Sequence, residues 1–149
     1  MSKAYVILPA SEVRKFNQWT YTITKENRQQ CSSLINKHAM MMTRRAMMFA
    51  PVNFGFLRAS IGRSFTHGSL QATVSAGGQG KGVNVNYAPY VEFGTGTRVV
   101  VPDDVKDYAI QFKGAGLRKV NNRAQPYFFP AVRLGFREMM IELNKMGFK

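Results

Sequence analysis

The sequence predicts an α+β fold: a long N-terminal helix, an antiparallel β-sheet of about four strands, and a C-terminal helix packed on that sheet. Three observations carry this prediction. Residues 11–49 contain neither Gly nor Pro, which over such a length marks helix. Between residues 60 and 93, short alternating runs are separated by glycine-bearing turns, as antiparallel strands are. Beyond Pro130 apolar residues return at helical spacing as far as Met146. Helices at both ends of a run of strands bury their apolar stripes against a sheet face.

The first helix starts at Ser11, a residue suited to the N-cap, with Glu12 favourable to the positive end of the dipole. Val13, Phe16, Ile23, Leu34, Met41 and Met48 keep a mixed three-and-four spacing, broken by Thr20, Asn27 and His38. A helix of that length, about 50 Å at 1.5 Å per residue, exceeds what the remaining chain can cover. It is therefore expected either to pack partly against another subunit or to break near Asn36–His38. Pro51 ends it by disfavouring helical geometry at Ala50. The methionines of "AMMMTRRAMMFAPV" read as adaptable core.

Ser60–Phe65 and Leu70–Ala76 read as strands joined by "THGS", with Gly68 able to take positive φ. "GGQGKGVN" lacks the order of a phosphate loop and has no helix after it, so it reads as a flexible strand connection. Val83–Phe93 alternates as a strand, and Pro89, without an amide hydrogen, makes it an edge or a bulge. Gly94 and Gly96 then turn the chain into an excursion over residues 96–125, with Thr95 bonding local backbone. Within it, "RVVVP" reads as a short strand and "DDVKDYAIQF" as a short helix capped by Asp103 or Asp104. "KGAGLRKVNNRAQP" reads as an exposed loop that orders against a partner. The final amphipathic helix carries Val132, Phe136, Met139, Met140 and Leu143.

The chain has 149 residues, enough for one domain with a hydrophobic core and too few for two. Its 45% hydrophobic content, with eleven Phe and nine Met, is that of a folded chain. A single cysteine, Cys31, excludes an intramolecular disulfide and reads as a small buried core residue, compatible with a reducing compartment. The N-terminal "MSKAYVILPASEVRKF" lacks the apolar core of a signal peptide, and no run approaches the roughly 20 apolar residues of a membrane span. A soluble protein made in a cytoplasm is expected.

Twenty-one Lys and Arg against eight Asp and Glu give a net charge of +13, which attracts nucleic acid, acidic protein surfaces or anionic lipid. No acid occurs between Glu26 and Glu92, while Arg28, Lys37, Arg44, Arg45, Arg58, Arg63 and Lys81 all do. Arg44, Arg45, Arg63, Lys113, Arg118 and Lys119 are the residues offered as facing DNA or an acidic partner. The aromatic segments "YAPYVEF" and "QPYFFPAV" match no RNA-recognition strand, and no helix-turn-helix or zinc-finger pattern is present, so any such contact is to phosphates.

Catalysis needs converging acids, bases or nucleophiles. His38 and His67 lie on a helix and in a turn without metal-ligand spacing, and adjacent Asp103 and Asp104 suit a helix start. An acid-poor middle does not suit a two-metal nuclease. In "NYAPYVEFGTGTR" Glu92 stands beside a glycine turn without a base, a nucleophile or a following helix N-terminus. The expectation is a protein that is not an enzyme, with no cofactor or metal site. Glu92 is read as the partner of an arginine, within the subunit or across an assembly.

Three segments, in order, resemble the phage minor tail-component family, the tail-completion or neck proteins of long-tailed phages. They are "APVNFGFLRASI" (Ala50 to Ile61), "YAPYVEFGTGT" (Tyr87 to Thr97) and "AQPYFFPAV" (Ala124 to Val132). With the long leading helix, the resemblance spans nearly the whole chain. Phe54 stands where that family commonly has a small polar residue, and the 98–123 stretch is longer than in compact members. The resemblance implies a structural virion protein at the head-to-tail junction, present as a homo-oligomeric ring and contacting connector or stopper, tail-terminator or tail-tube proteins, with no membrane. It marks Pro51, Gly55, Leu57, Arg58, Tyr87, Pro89, Tyr90, Glu92, Gly94, Thr95, Pro126, Phe128 and Pro130 as motif or interface residues. The alternative, from charge alone, is a basic module making non-specific phosphate contacts with nucleic acid.

Overall fold

The computed structural model describes residues 4–5, 10–21, 25–52, 55–66, 68–80, 82–111 and 121–147. Two helices lead, α1 (Ala10–Tyr21) and α2 (Lys25–Phe49). α1 begins one residue ahead of the expected cap Ser11, and α2 runs without interruption through Asn36–His38, where a break was one expectation. No break is needed there because His38 is buried with its Nε2 2.8 Å from Glu142 on the last helix. Cys31 is buried and free, as expected, and burial pushes its thiol pKa up.

A short helix α3 (Phe56–Ala59) follows, starting at Gly55, whose φ of 78° is left-handed. The central strand β3 (Gln71–Ala76) pairs antiparallel with β2 (Gly62–Thr66) and with β1 (Ala4–Tyr5), so Ser75 faces Gly62 on one side and Tyr5 on the other. The β2–β3 turn uses positive φ at Gly68 (62°) and Ser69 (66°), matching the expected hairpin. A separate antiparallel pair, β4 (Gly78–Gly80) and β5 (Val83–Val85), takes up part of the glycine-rich segment. Gly78–Gly80 of that segment is thus a paired strand rather than a loose connection, Lys81 lies outside the described residues, and among the described residues the strands fall into two small sheets, one of three and one of two.

The predicted strand Val83–Phe93 is corrected. Only Val83–Val85 is strand, and residues Ala88–Phe93 form helix α4. Pro89 lies in its first turn, where a missing amide hydrogen costs no bond and the fixed φ suits a helix. Helical spacing then buries Ala88 and Glu92, four apart, on one side.

"RVVVP" is not a strand: Gly96–Arg98 is a 3-10 turn, and Val99 turns into the core. Asp103–Val105 forms a second 3-10 turn leading into α5 (Lys106–Ile110), and neither Asp103 nor Asp104 caps it by a side-chain bond. The described parts of the excursion belong to the subunit itself, because Val99, Val105 and Ala109 are members of the main core.

The last helix, α6 (Phe128–Lys145), packs chiefly along α2, which also carries β3 and β2. The C-terminal helix thus packs chiefly helix on helix, along α2, rather than mainly on the sheet as expected. Gly135 permits the close approach, since a Cβ there would collide with the Met42 side chain. The main core joins Met42, Ala46, Leu57, Val85, Phe93, Phe128 and Val132, and a second cluster joins Leu34 and Ile35 to Met139 and Leu143.

Candidate functional site

Three sequence segments singled out by the resemblance meet in the main core. Leu57 from the first, Phe93 from the second and Phe128 with Phe129 from the third are all buried there. Phe93 lies with ring centroids 5.4 Å from Phe129 and 5.8 Å, edge-on, from Tyr108. Ser60 ties the first segment to the sheet: its hydroxyl donates to Leu57 O at 2.7 Å and accepts the Gly77 amide at 3.2 Å.

Glu92 joins the second segment to the third. Its carboxylate accepts the backbone N–H groups of Tyr127 (2.8 Å), Phe128 (2.9 Å) and Phe129 (3.1 Å), at the start of α6. These are among the first amides of a helix, which have no partner inside it and carry the positive end of its dipole. Burial raises the Glu92 carboxyl pKa, against the lowering effect of the three amides and of Arg133. The expected arginine partner within the subunit is corrected: Arg133 acts on Glu92 only electrostatically, while its guanidinium bonds to Asp104 and lies 5.5 Å from the Phe129 ring centre. Helix amides won because they approach a buried carboxylate without bringing a second charge into the core.

The turn after α4 is built around backbone. Gly94 has φ 80° and ψ −171°, and a Cβ there would lie 2.6 Å from Arg98 O and 2.7 Å from Asn122 O. Thr95 bonds local backbone as expected, its carbonyl accepting the Arg98 amide at 3.2 Å, and it also reaches across the excursion. Its amide donates to Asn122 O at 3.0 Å and its hydroxyl accepts the Asn122 amide at 2.8 Å, closing the base of the excursion across 27 residues. Thr97 to Asn121 and Gln125 N to Val91 O extend that closure.

The other motif residues are scattered around this centre. Pro51 is half-buried after α2, Pro126 and Pro130 are exposed, Tyr87 is exposed at the start of α4, and Tyr90 is half-buried. Arg58 is half-buried, with its Nε buried and without a hydrogen-bond partner. Among the basic residues offered as facing DNA or an acidic partner, Arg44 and Arg63 are exposed, while Arg45 is half-buried and forms a two-bond pair with Glu138 at 2.7 and 2.9 Å. Lys113, Arg118 and Lys119 lie outside the described residues.

Sequence reading missed the second set of polar contacts between α2 and α6, where Lys37 forms an ion pair with Glu142 and the buried His38 ring hydrogen-bonds the same carboxylate. The signal was present as Glu138 and Glu142, four apart on one helix, opposite basic residues of α2. These pairings lower the pKa of both Glu138 and Glu142.

Chemically, the arrangement holds structure together. A space of about 20 Å³ beside Glu92, lined in part by Ala76, Pro89, Phe93 and Tyr108, has room for about one water. Among the described residues, no group of three or more His, Cys, Asp or Glu could hold a metal ion, and no helix is long and apolar enough to cross a membrane. No family model, no curated protein and no solved structure matches this chain.

Proposed function

We propose that this protein is a structural virion subunit at the phage head-to-tail junction, forming a homo-oligomeric ring that completes the tail and joins it to the head. The observation that carries the reading is the use made of the signature segment: Glu92, its most reactive residue, is spent on three helix amides. The same holds for Asp104, Glu138 and Glu142, each engaged with Arg133, Arg45 or Lys37 and His38. Acids committed to holding helices together suit a building block better than a catalyst.

The ordered resemblance of the three segments supplies the location, and with it connector or stopper, tail-terminator and tail-tube proteins as neighbours. The decisive experiment is removal of the gene from the producing phage. Unjoined heads and tails are expected by electron microscopy, restored by supplying the protein in trans; joined, infectious particles without it overturn the proposal.

Exposed Arg44 and Arg63 favour a second reading, a module binding nucleic acid through phosphates. It requires duplex binding that weakens steeply between 50 and 200 mM salt, by at least about a thousandfold if six phosphates are contacted. Filter binding across that range separates the two readings.

A further inference from the structure

The eight acids of this chain have unequal fates. Among the described side chains, Glu92 is buried on helix amides, and Asp104, Glu138 and Glu142 are ion-paired. Asp103 and Asp107 are left exposed, on the 3-10 turn and the first turn of α5. Val100 and Ile110 flank them and are 47% and 49% exposed. This edge is acidic and apolar, with Lys106 its one described intervening base.

The opposite composition occurs on the solvent side of the α2–α6 pair. The Arg45–Glu138 bridge lies on that side, and the residues four before and three after each partner share its stripe: Met41 and Met48 on α2, Leu134 and Ile141 on α6. Met48, Leu134 and Ile141 are 72%, 44% and 56% exposed. Arg44 and Arg137 stand exposed beside them, and the acids of this face, Glu138 and Glu142, are already paired. It is an apolar surface with surplus positive charge, which cannot meet its own copy across a two-fold axis without setting arginine against arginine.

We infer that this face receives the Val100–Ile110 edge of a second copy, with Asp103 and Asp107 meeting Arg44 and Arg137 around the exposed apolar side chains. The pairing joins two different surfaces of one chain, so it propagates head to tail and closes into a ring when the rotation permits. The inference deepens the ring reading above and rests on it.

The test uses the full chain and its mass in solution, by analytical ultracentrifugation and native mass spectrometry, with circular dichroism to verify folding. The wild-type chain is expected to assemble. Asp103→Lys with Asp107→Lys reverses the edge, and Arg44→Glu with Arg137→Glu reverses the face; each is expected to weaken self-association roughly a hundredfold or more. An equimolar mixture of the two variants restores assembly, because each reversed surface then meets its complement on the other chain.

A wild-type chain that stays monomeric at every concentration, folded variants that assemble like wild type, or a mixture that stays dissociated overturns the inference. So does a face variant that assembles normally and loses only duplex DNA, which assigns the face to phosphates. The gene-removal phenotype is read separately, so an interface drawn wrongly and a head-to-tail role drawn wrongly give different patterns.

Discussion

At the scale of single residues, Glu92 is the most consequential side chain. Replacing it by Ala leaves three buried N–H groups without an acceptor, at a cost of about 2–4 kcal/mol; Glu92→Gln keeps one acceptor oxygen and costs roughly half as much. Urea unfolding checks both, and an Ala variant as stable as wild type would refute the capping role. The raised pKa gives a second test. A native carboxyl that holds its proton above the ordinary 4.5 binds more protons than the unfolded chain over that interval, so its contribution to stability falls as pH rises through it. Glu138 and Glu142 run the other way: their lowered values add stability above the ordinary carboxylate range that is lost as pH falls through them. Thermal melts from pH 3 to 8 are expected to show the acid-side loss in wild type and in Glu92→Gln, while the decline above pH 4.5 flattens only in Glu92→Gln.

At the scale of elements, the α4 turn and the α2–α6 seam decide the architecture. Gly94 combines left-handed φ with a ψ near 180°, a region that essentially only glycine occupies, and its missing Cβ leaves room for three backbone atoms. Gly94→Ala is expected to lower stability by about 3 kcal/mol or more, whereas Gly68→Ala, strained in φ but open in space, costs about 1 kcal/mol. Differential scanning calorimetry on the pair tests whether Gly94 is the more constrained site; equal effects would refute that ranking. The elements themselves were unevenly legible. The N- and C-terminal helices and the β2–β3 hairpin follow from glycine placement and apolar periodicity, both local properties. Residues 86–93 were misread because Tyr87, Pro89, Val91 and Phe93 alternate like a strand, whereas Ala88 and Glu92 share a helical face only once the α6 amides are there to receive the carboxylate.

For the whole molecule, Glu138 and Glu142 tie α6 to α2, and among the described residues Arg14, Lys15, Arg28, Arg44, Arg63, Arg98, Arg123, Arg137 and Lys145 are exposed. That asymmetry is what the proposed ring exploits. Raising ionic strength above physiological is expected to weaken assembly, since rim charges are screened within about 8 Å at 0.15 M salt. Assembly that strengthens with salt would point to a contact dominated by apolar area alone. The candidate site was legible in identity more than in role: the residues of "YAPYVEFGTGT" stood out in sequence, yet nothing local distinguishes a carboxylate that pairs with arginine from one that caps a helix 35 residues away.

The sequence by itself determined the α+β class, the long helical leader, the hairpin and its turn, the buried cysteine and the outward positive charge. Each was legible because near-neighbour spacing or composition points the same way as the tertiary packing does. Only the tertiary structure decided that Pro89 opens a helix, that α6 packs on α2, that Arg45 is committed to Glu138, and that Glu92 closes the start of α6. Those outcomes depend on which groups arrive opposite one another after the chain has folded, and a buried carboxylate takes whichever donors the packing brings within hydrogen-bond reach.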